Sequence, residues 1–232
     1  MFQLKKKIVL FGLLFMPCIA GAQQTLLDSA DKAVLTNTAI TSGFLFTGAF
    51  VMDEAFRDFT LSGRNEVMDK YTHMANYMGS KKVVLPLNAL VYTGGLIFDN
   101  KDLQKTSFDA FKSLMASSAV TISLKYLTGR SRPYIDQGAY KFDPFPENKH
   151  AFRSLPSGHA TLAFAFFTPF AEKYSRWLYA VPFSVGLSRI YKDDHWTSDV
   201  VLGSTIGFLT GYFFHKKTRN IELSLNGIVI KF

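Results

Sequence analysis

A chain of 232 residues, 48% of them hydrophobic, is long enough to bury one sizeable core and gives no sign of two. Its formal charge of +8 is not laid out as a nucleic-acid-binding stripe: Lys125, Arg130, Arg132, Arg153, Arg189 and Lys192 all lie in or beside the motifs described below, so an anionic substrate or a phospholipid surface explains much of the excess better. The single cysteine, Cys18, lies in a removable leader, which excludes thiol catalysis and disulfides from the mature chain.

Lys5-Lys6-Lys7 precede an apolar run from Ile8 to Met16, and Ala20-Gly21-Ala22 offers small residues for cleavage, so residues 1–22 read as a secretory signal peptide. The run is well short of the roughly 20 residues a span needs. Cys18 follows Met16-Pro17 and lacks the small residues a lipoprotein signal requires. Cleavage removes three lysines and leaves residues 23–220 as one helical domain. Charge-free runs follow at Ala33–Met52, Val83–Phe98, Trp177–Ser188 and Val200–Phe214; only the first reaches spanning length, and the others suit buried helices.

The apolar spacing of Phe108, Phe111, Leu114, Met115, Ile122, Leu124 and Leu127 predicts a helix over 107–128 that stops at Gly129, with Lys125 in its last turn and Arg132 in the loop beyond. Residues 134–153 are aromatic and loop-like, either a cover over a site or a packed connector. A helix is expected from about Ser157 to Phe170, after Pro156 and with Pro169 at its end or at a kink. Others are expected from about Trp177 to Arg189 and from about Thr197 to Phe214. A slightly earlier start of the last would place His195 and Asp199 four apart on one face. Residues 221–232 alternate around Asn226-Gly227, a strand or hairpin tail.

Three strings carry chemistry: Lys125 to Arg132-Pro133, then Pro156-Ser157-Gly158-His159, then Ser188-Arg189 followed by His195 and Asp199. They supply three cations, two histidines, a carboxylate and a glycine at a helix start, whose free N–H groups favour an anion. Together these suffice to hold a phosphate and break its ester bond without a metal. The order resembles the type 2 phosphatidic acid phosphatase superfamily, whose pattern is Lys, six residues, Arg-Pro, then Pro-Ser-Gly-His, then Ser-Arg, five residues, His, three residues, Asp. Every fixed position is filled, and the resemblance runs from about Val83 to His215.

The resemblance implies an all-α helical bundle of the type 2 phosphatidic acid phosphatase/haloperoxidase kind, to which the tail adds a small C-terminal β-hairpin. It implies that His195 is the nucleophile and His159 the general acid. His195 must attack as neutral imidazole, so Asp199 is expected to accept the proton on its other ring nitrogen. Lys125, Arg132 and Arg189 would neutralise the phosphate oxygens, with hydrogen bonds from Ser157 and the Gly158 backbone. No metal and no cofactor is expected. His73, His150 and His215 lack motif context and read as structural.

The expected substrate is a phosphorylated lipid, as monoester or pyrophosphate, or a small phosphate ester. A membrane surface is an expected partner; nucleic acid is not, and no protein partner is inferred. Expected location is the periplasm or the periplasmic face of the envelope, with the bundle resting on the membrane or embedded in it. Three other readings stand beside a lipid phosphatase: a soluble broad-range acid phosphatase, a vanadium-dependent haloperoxidase, and an envelope module that only binds anions. The last would have no use for nucleophile, carboxylate and opposing acid together.

Overall fold

A computed structural model describes residues 27–147 and 150–219 and, beyond them, the strands of the tail. The signal-peptide reading of residues 1–22, Asn226 of the tail turn and residues 231–232 lie outside the described residues. The all-α expectation holds: helices account for most of the described chain.

Helix α1, Ser29–Val51, is started by Asp28, whose side chain accepts the Asp31 N–H at 2.7 Å. One residue later α2, Asp53–Ser62, begins, followed by α3, Glu66–Tyr77, capped by Asn65. Helix α4, Lys81–Ile97, is capped by Ser80, and α5, Lys101–Thr128, by Asn100. The α5 start lies six residues before the apolar periodicity begins, since a capping asparagine and a polar first turn suffice to nucleate it. Helix α6 is Gly158–Lys173 and carries Pro169 inside it.

The helix expected from Trp177 divides into a 3-10 turn, Arg176–Tyr179, and α7, Ala180–Tyr191. Pro182 explains the break, because it has no N–H to give and fits only in a first turn. Helix α8, Thr197–Arg219, runs past the expected Phe214. Strands β1, Ile221–Ser224, and β2, Gly227–Ile230, then pair antiparallel with Ile221 opposite Ile230; the expected hairpin forms, with Gly227 opposite Ser224 as the first residue of β2.

The centre of the bundle is α5, α6 and α8. Val84, Ala110, Leu114, Ala165, Phe166, Phe167 and Phe170 form its core on the α5–α6 side. On the other side α8 presents Gly203, Gly207 and Gly211, one every four residues, to α6. A Cβ at these positions would run into Ser157 O, Thr161 O and Thr168 Cβ respectively, so the repeat sets how closely the two helices approach. Helix α5 is laced to both of them, to α6 by a Thr121–Thr161 hydrogen bond (3.3 Å) and to α8 by Ser113–Thr210 (3.0 Å). The ends of α1, α5 and α7 and the starts of α6 and α8 therefore come together at one end of the molecule. Helix α1 is the one described helix long and apolar enough to cross a membrane.

Candidate active site

Gly129 ends α5 in the left-handed region, at φ +57°, where a Cβ would strike Asp143 O and Pro144 N, so only glycine fits. The chain then runs back as Arg130-Ser131-Arg132, held by Asp143 N to Gly129 O (2.8 Å), Ser131 N to Lys141 O (2.9 Å) and Arg132 N to Ala151 O (2.9 Å). The aromatic loop between the first two motifs is thus strapped to the end of α5 along much of its length. Neither reading of that loop covers it whole: Ala139 is buried against Arg130, while the side chains of Tyr140, Phe142 and Phe145 remain exposed.

Lys125, in the last turn of α5, donates to Arg153 O (2.6 Å) and Ser154 O (3.1 Å) and so aligns the strand that leads into α6. Ser157 occupies the N-cap position of α6 but makes no side-chain cap. Its backbone N–H instead donates to Asp199 O at 2.9 Å, and its Oγ is buried without a hydrogen-bond partner among the described residues. A buried hydroxyl with no partner at a helix N-terminus is the group an anion would satisfy. A Cβ on Gly158 would meet only Lys125 Cε, at 3.8 Å. The neighbouring protein therefore tolerates a side chain there, and glycine's role is to leave room above the helix start.

Arg189, in the last turn of α7, donates from Nη1 to Asn76 Oδ1 of α3 and pairs through Nη2 with Asp194 Oδ2 at 3.0 Å; its Nε is buried and unpaired among the described residues. Arg132 donates to His150 O (2.9 Å) and Asp194 O (3.0 Å). Asp194 therefore orients both arginines. The adjacent Asp193, at φ +59°, is gripped by Arg57 of α2 through two bonds of 2.8 and 2.9 Å, which fixes the turn that delivers His195.

The last motif differs in detail from the expected helix face. Helix α8 begins at Thr197, so His195 precedes it. The Asp199 carboxylate reaches back to the Trp196 N–H at 3.0 Å, the reciprocal half of a capping box. That draws Asp199 Oδ2 to 3.6 Å from His195 Nδ1. The Ser154 hydroxyl stands between the two, donating to Asp199 Oδ2 and lying 3.4 Å from His195 Nδ1. Arg130 Nη1 donates to Asp199 Oδ1 at 2.8 Å.

Burial, then Lys125, Arg132 and Arg189, hold His195 well below its ordinary value, so its imidazole is neutral. Burial and the same three cations, Arg189 foremost among them, push His159 down to about 3. Burial and Arg132 bring Lys125 down to about 7, opposed by Asp199. Burial raises Asp199, and Arg130 is the strongest influence against that rise. Two histidines and three cations thus share one field, which an anion placed among them would offset. Among the described residues no group of three or more His, Cys, Asp or Glu side chains could hold a metal ion.

All eight expected site residues come to this end of the bundle. Missed by sequence reading were Asp53, Asn76, Arg130, Ser154 and Asp194, none of which occupies a fixed position of the pattern. Arg130 and Asp194 sit inside or beside the motif strings and carry charge, a signal that was available; Asp53 and Asn76 come from helices with no motif at all.

The family model of the PAP2 superfamily matches residues 107–222. A lipid A 1-phosphatase of Rhizobium etli is 35% identical over 102 residues, which cover 42% of this chain and 44% of that one. A lipid A 1-phosphatase of Porphyromonas gingivalis is 38% identical over 84 residues, 33% of this chain and 19% of the relative. The chain thus spans less than half the length of the curated relatives it matches. The crystal structure of Aquifex aeolicus LpxE superposes with a TM-score of 0.55 at 25% identity, covering 68% of this chain and 90% of that one. A Bacillus subtilis transmembrane PAP2-type phosphatidylglycerolphosphate phosphatase gives 0.52 at 18% identity over 89% and 93% of the two chains, a likeness of fold.

Proposed function

The chain belongs to the PAP2 superfamily, and we propose on that premise that it is a metal-independent phosphatase hydrolysing the phosphate monoester or pyrophosphate of an envelope lipid. The observation that carries this is the convergence of a neutral buried His195, backed by Asp199, with His159 and with buried donors that lack protein partners, Ser157 Oγ and Arg189 Nε. A lipid substrate is favoured over a soluble ester by the relatives' own names and by the apolar helix α1, which ends beside the site.

In this reading His195 attacks phosphorus through Nε2, since Nδ1 faces Asp199 and Ser154. The P–O bond to the lipid breaks as the P–N bond forms. His159 gives its proton to the departing oxygen, and Lys125, Arg132 and Arg189 with the α6 N-terminus take up the charge on the remaining phosphate oxygens. Burial and the three cations disfavour the protonated form of His159, and the dianionic phosphate offsets those cations, so the acid is charged when substrate is bound. Water then resolves the phosphohistidine, with His159 accepting its proton. The secretory reading of residues 1–22 supports a site on the periplasmic side of the envelope, carried by one helical domain of residues 23–220.

Purified protein in detergent, with a chelator present, should release inorganic phosphate from dispersed lipid A or another lipid phosphate faster than from a soluble ester. Rapid quenching should trap an acid-labile phosphoenzyme lost in His195→Ala. Turnover that chelation abolishes, or label on serine, would overturn the mechanism. A preference for the soluble ester would overturn the lipid assignment.

A further inference from the structure

Asp199 is held by a residue that the motif pattern leaves free. Arg130 is fully buried, and its guanidinium is spent on protein: Nη1 donates to Asp199 Oδ1 (2.8 Å) and Ser198 Oγ (2.7 Å), Nη2 to Asp53 Oδ2 (2.8 Å), and Nε to Ala139 O (2.8 Å). Aromatic rings surround it, with Phe50, Trp196 and Phe142 centred 4.8, 5.5 and 5.7 Å from its Cζ. Asp53, also buried, accepts Ser198 N (2.9 Å) with Oδ1 and Ser198 Oγ (2.5 Å) with Oδ2. It therefore caps the first turn of α8 from the start of α2.

Three ionisable groups taken out of water in this way are an expensive means of holding helices together, because packed apolar residues of similar volume are often as stabilising. What the arrangement supplies that apolar packing cannot is a fixed direction and a fixed charge for Asp199. Arg130 occupies Oδ1, the Trp196 N–H and Ser154 occupy Oδ2, and the carboxylate is left one orientation, edge-on to His195 Nδ1. No fixed position of the pattern supplies Asp53; it comes from the junction of α1 and α2, where Tyr140 also clasps Phe50 O and Val51 O.

We propose that Arg130 and Asp53 are positioning residues for the nucleophile, holding Asp199 ionised and aimed at His195 and making that geometry depend on the docked α1–α2 junction. The inference rests on the phosphatase reading above. The charged and titratable groups facing the pair are Lys125 from α5, Arg130 and Arg132 beyond it, Asp53 from α2, His159 from α6, Arg189 from α7 and His195 itself.

The two partners act on Asp199 with opposite sign, which separates positioning from mere scaffolding. Arg130→Gln removes a cation, so Asp199 takes up a proton at higher pH and the acidic limb of kcat should move to higher pH. Asp53→Asn removes an anion, so the limb should stay or move to lower pH while kcat falls through lost alignment, by on the order of 10²-fold for a displacement near 1 Å. Inhibition by inorganic vanadate should change less than threefold in both, since the phosphate cradle is untouched. Arg130→Lys keeps the charge and loses the fork, so it should keep the limb and lose kcat. An unmoved limb in Arg130→Gln, or equal losses in kcat and vanadate affinity, would overturn the proposal. If Arg130→Gln and Asp53→Asn do not fold, unchanged kcat in Arg130→Lys would overturn it instead. Absence of turnover in the unaltered protein would count against the phosphatase reading alone. Where Arg130→Gln folds, histidine 15N NMR gives a second readout: on lowering the pH, the Nδ1-protonated neutral tautomer of His195 should be lost at a higher pH than in the unaltered protein, and loss at the same pH would sink the idea.

Discussion

At the residue scale the site is a contest between burial and charge. Both histidines are pushed down, first by desolvation and then by three neighbouring cations. On the proposed mechanism that outcome serves attack by His195, which stays neutral as pH falls through 6.5, so the acidic limb, governed by His195 together with Asp199, should lie below pH 6.5. For His159 the same field opposes its role, and only the substrate's charge restores the proton. His159→Ala should therefore lose most activity toward an alkyl phosphate, whose alkoxide leaves badly, and much less toward an aryl phosphate with an acidic phenol. Steady-state kcat/KM on the two esters measures the difference, and equal losses would make His159 a binding residue. His195→Ala should abolish both.

At the scale of elements, what was legible in the sequence was what local rules decide. Gly129 stops α5 because only a left-handed residue fits there, and Asn226-Gly227 marks the hairpin now seen in the pairing of Ile221 with Ile230. The motif residues were legible because the chemistry restricts their types. The rest depended on contacts distant in sequence. Asp53 meets Ser198 across 145 positions and Asn76 meets Arg189 across 113, and no local pattern announces such pairs. The glycine repeat of α8 was visible as spacing, but its meaning required knowing that α6 lies against it. The loop divides in the same way. Phe142 lies over Arg130, whereas the Phe145 ring is 41% exposed although its backbone N–H donates to Tyr126 O of α5 at 2.7 Å. Replacing Phe145 by Ala should change the ratio of lipid to soluble-ester activity with little change in the soluble-ester rate. Replacing Phe142 should lower both rates together. An unchanged ratio in Phe145→Ala would remove the loop from substrate selection.

At the scale of the whole molecule, the exposed apolar surface suits work at a membrane. Phe44 is 76% exposed, Phe59 79%, Ile97 78% and Phe98 82%; moving four such side chains from water to an apolar phase is worth about 6–12 kcal/mol. Helix α1 is docked to α8 along one side only, through Leu35, Tyr212 and Phe213, the Tyr212 hydroxyl to Asp31 (2.7 Å) and Lys216 to Asp31 (3.4 Å). Its Ile40, Phe44, Leu45 and Val51 side chains face outward. A helix held on one flank and apolar on the other is suited to lie in lipid, and it ends one residue before Asp53, where the network to Asp199 begins. On the proposed function, helix α1 and the carboxylate beside His195 therefore form one connected unit. The protein should remain in the membrane pellet after an alkaline carbonate wash and leave it, active, with nonionic detergent. Recovery of active protein in the carbonate supernatant would show that α1 does not anchor it.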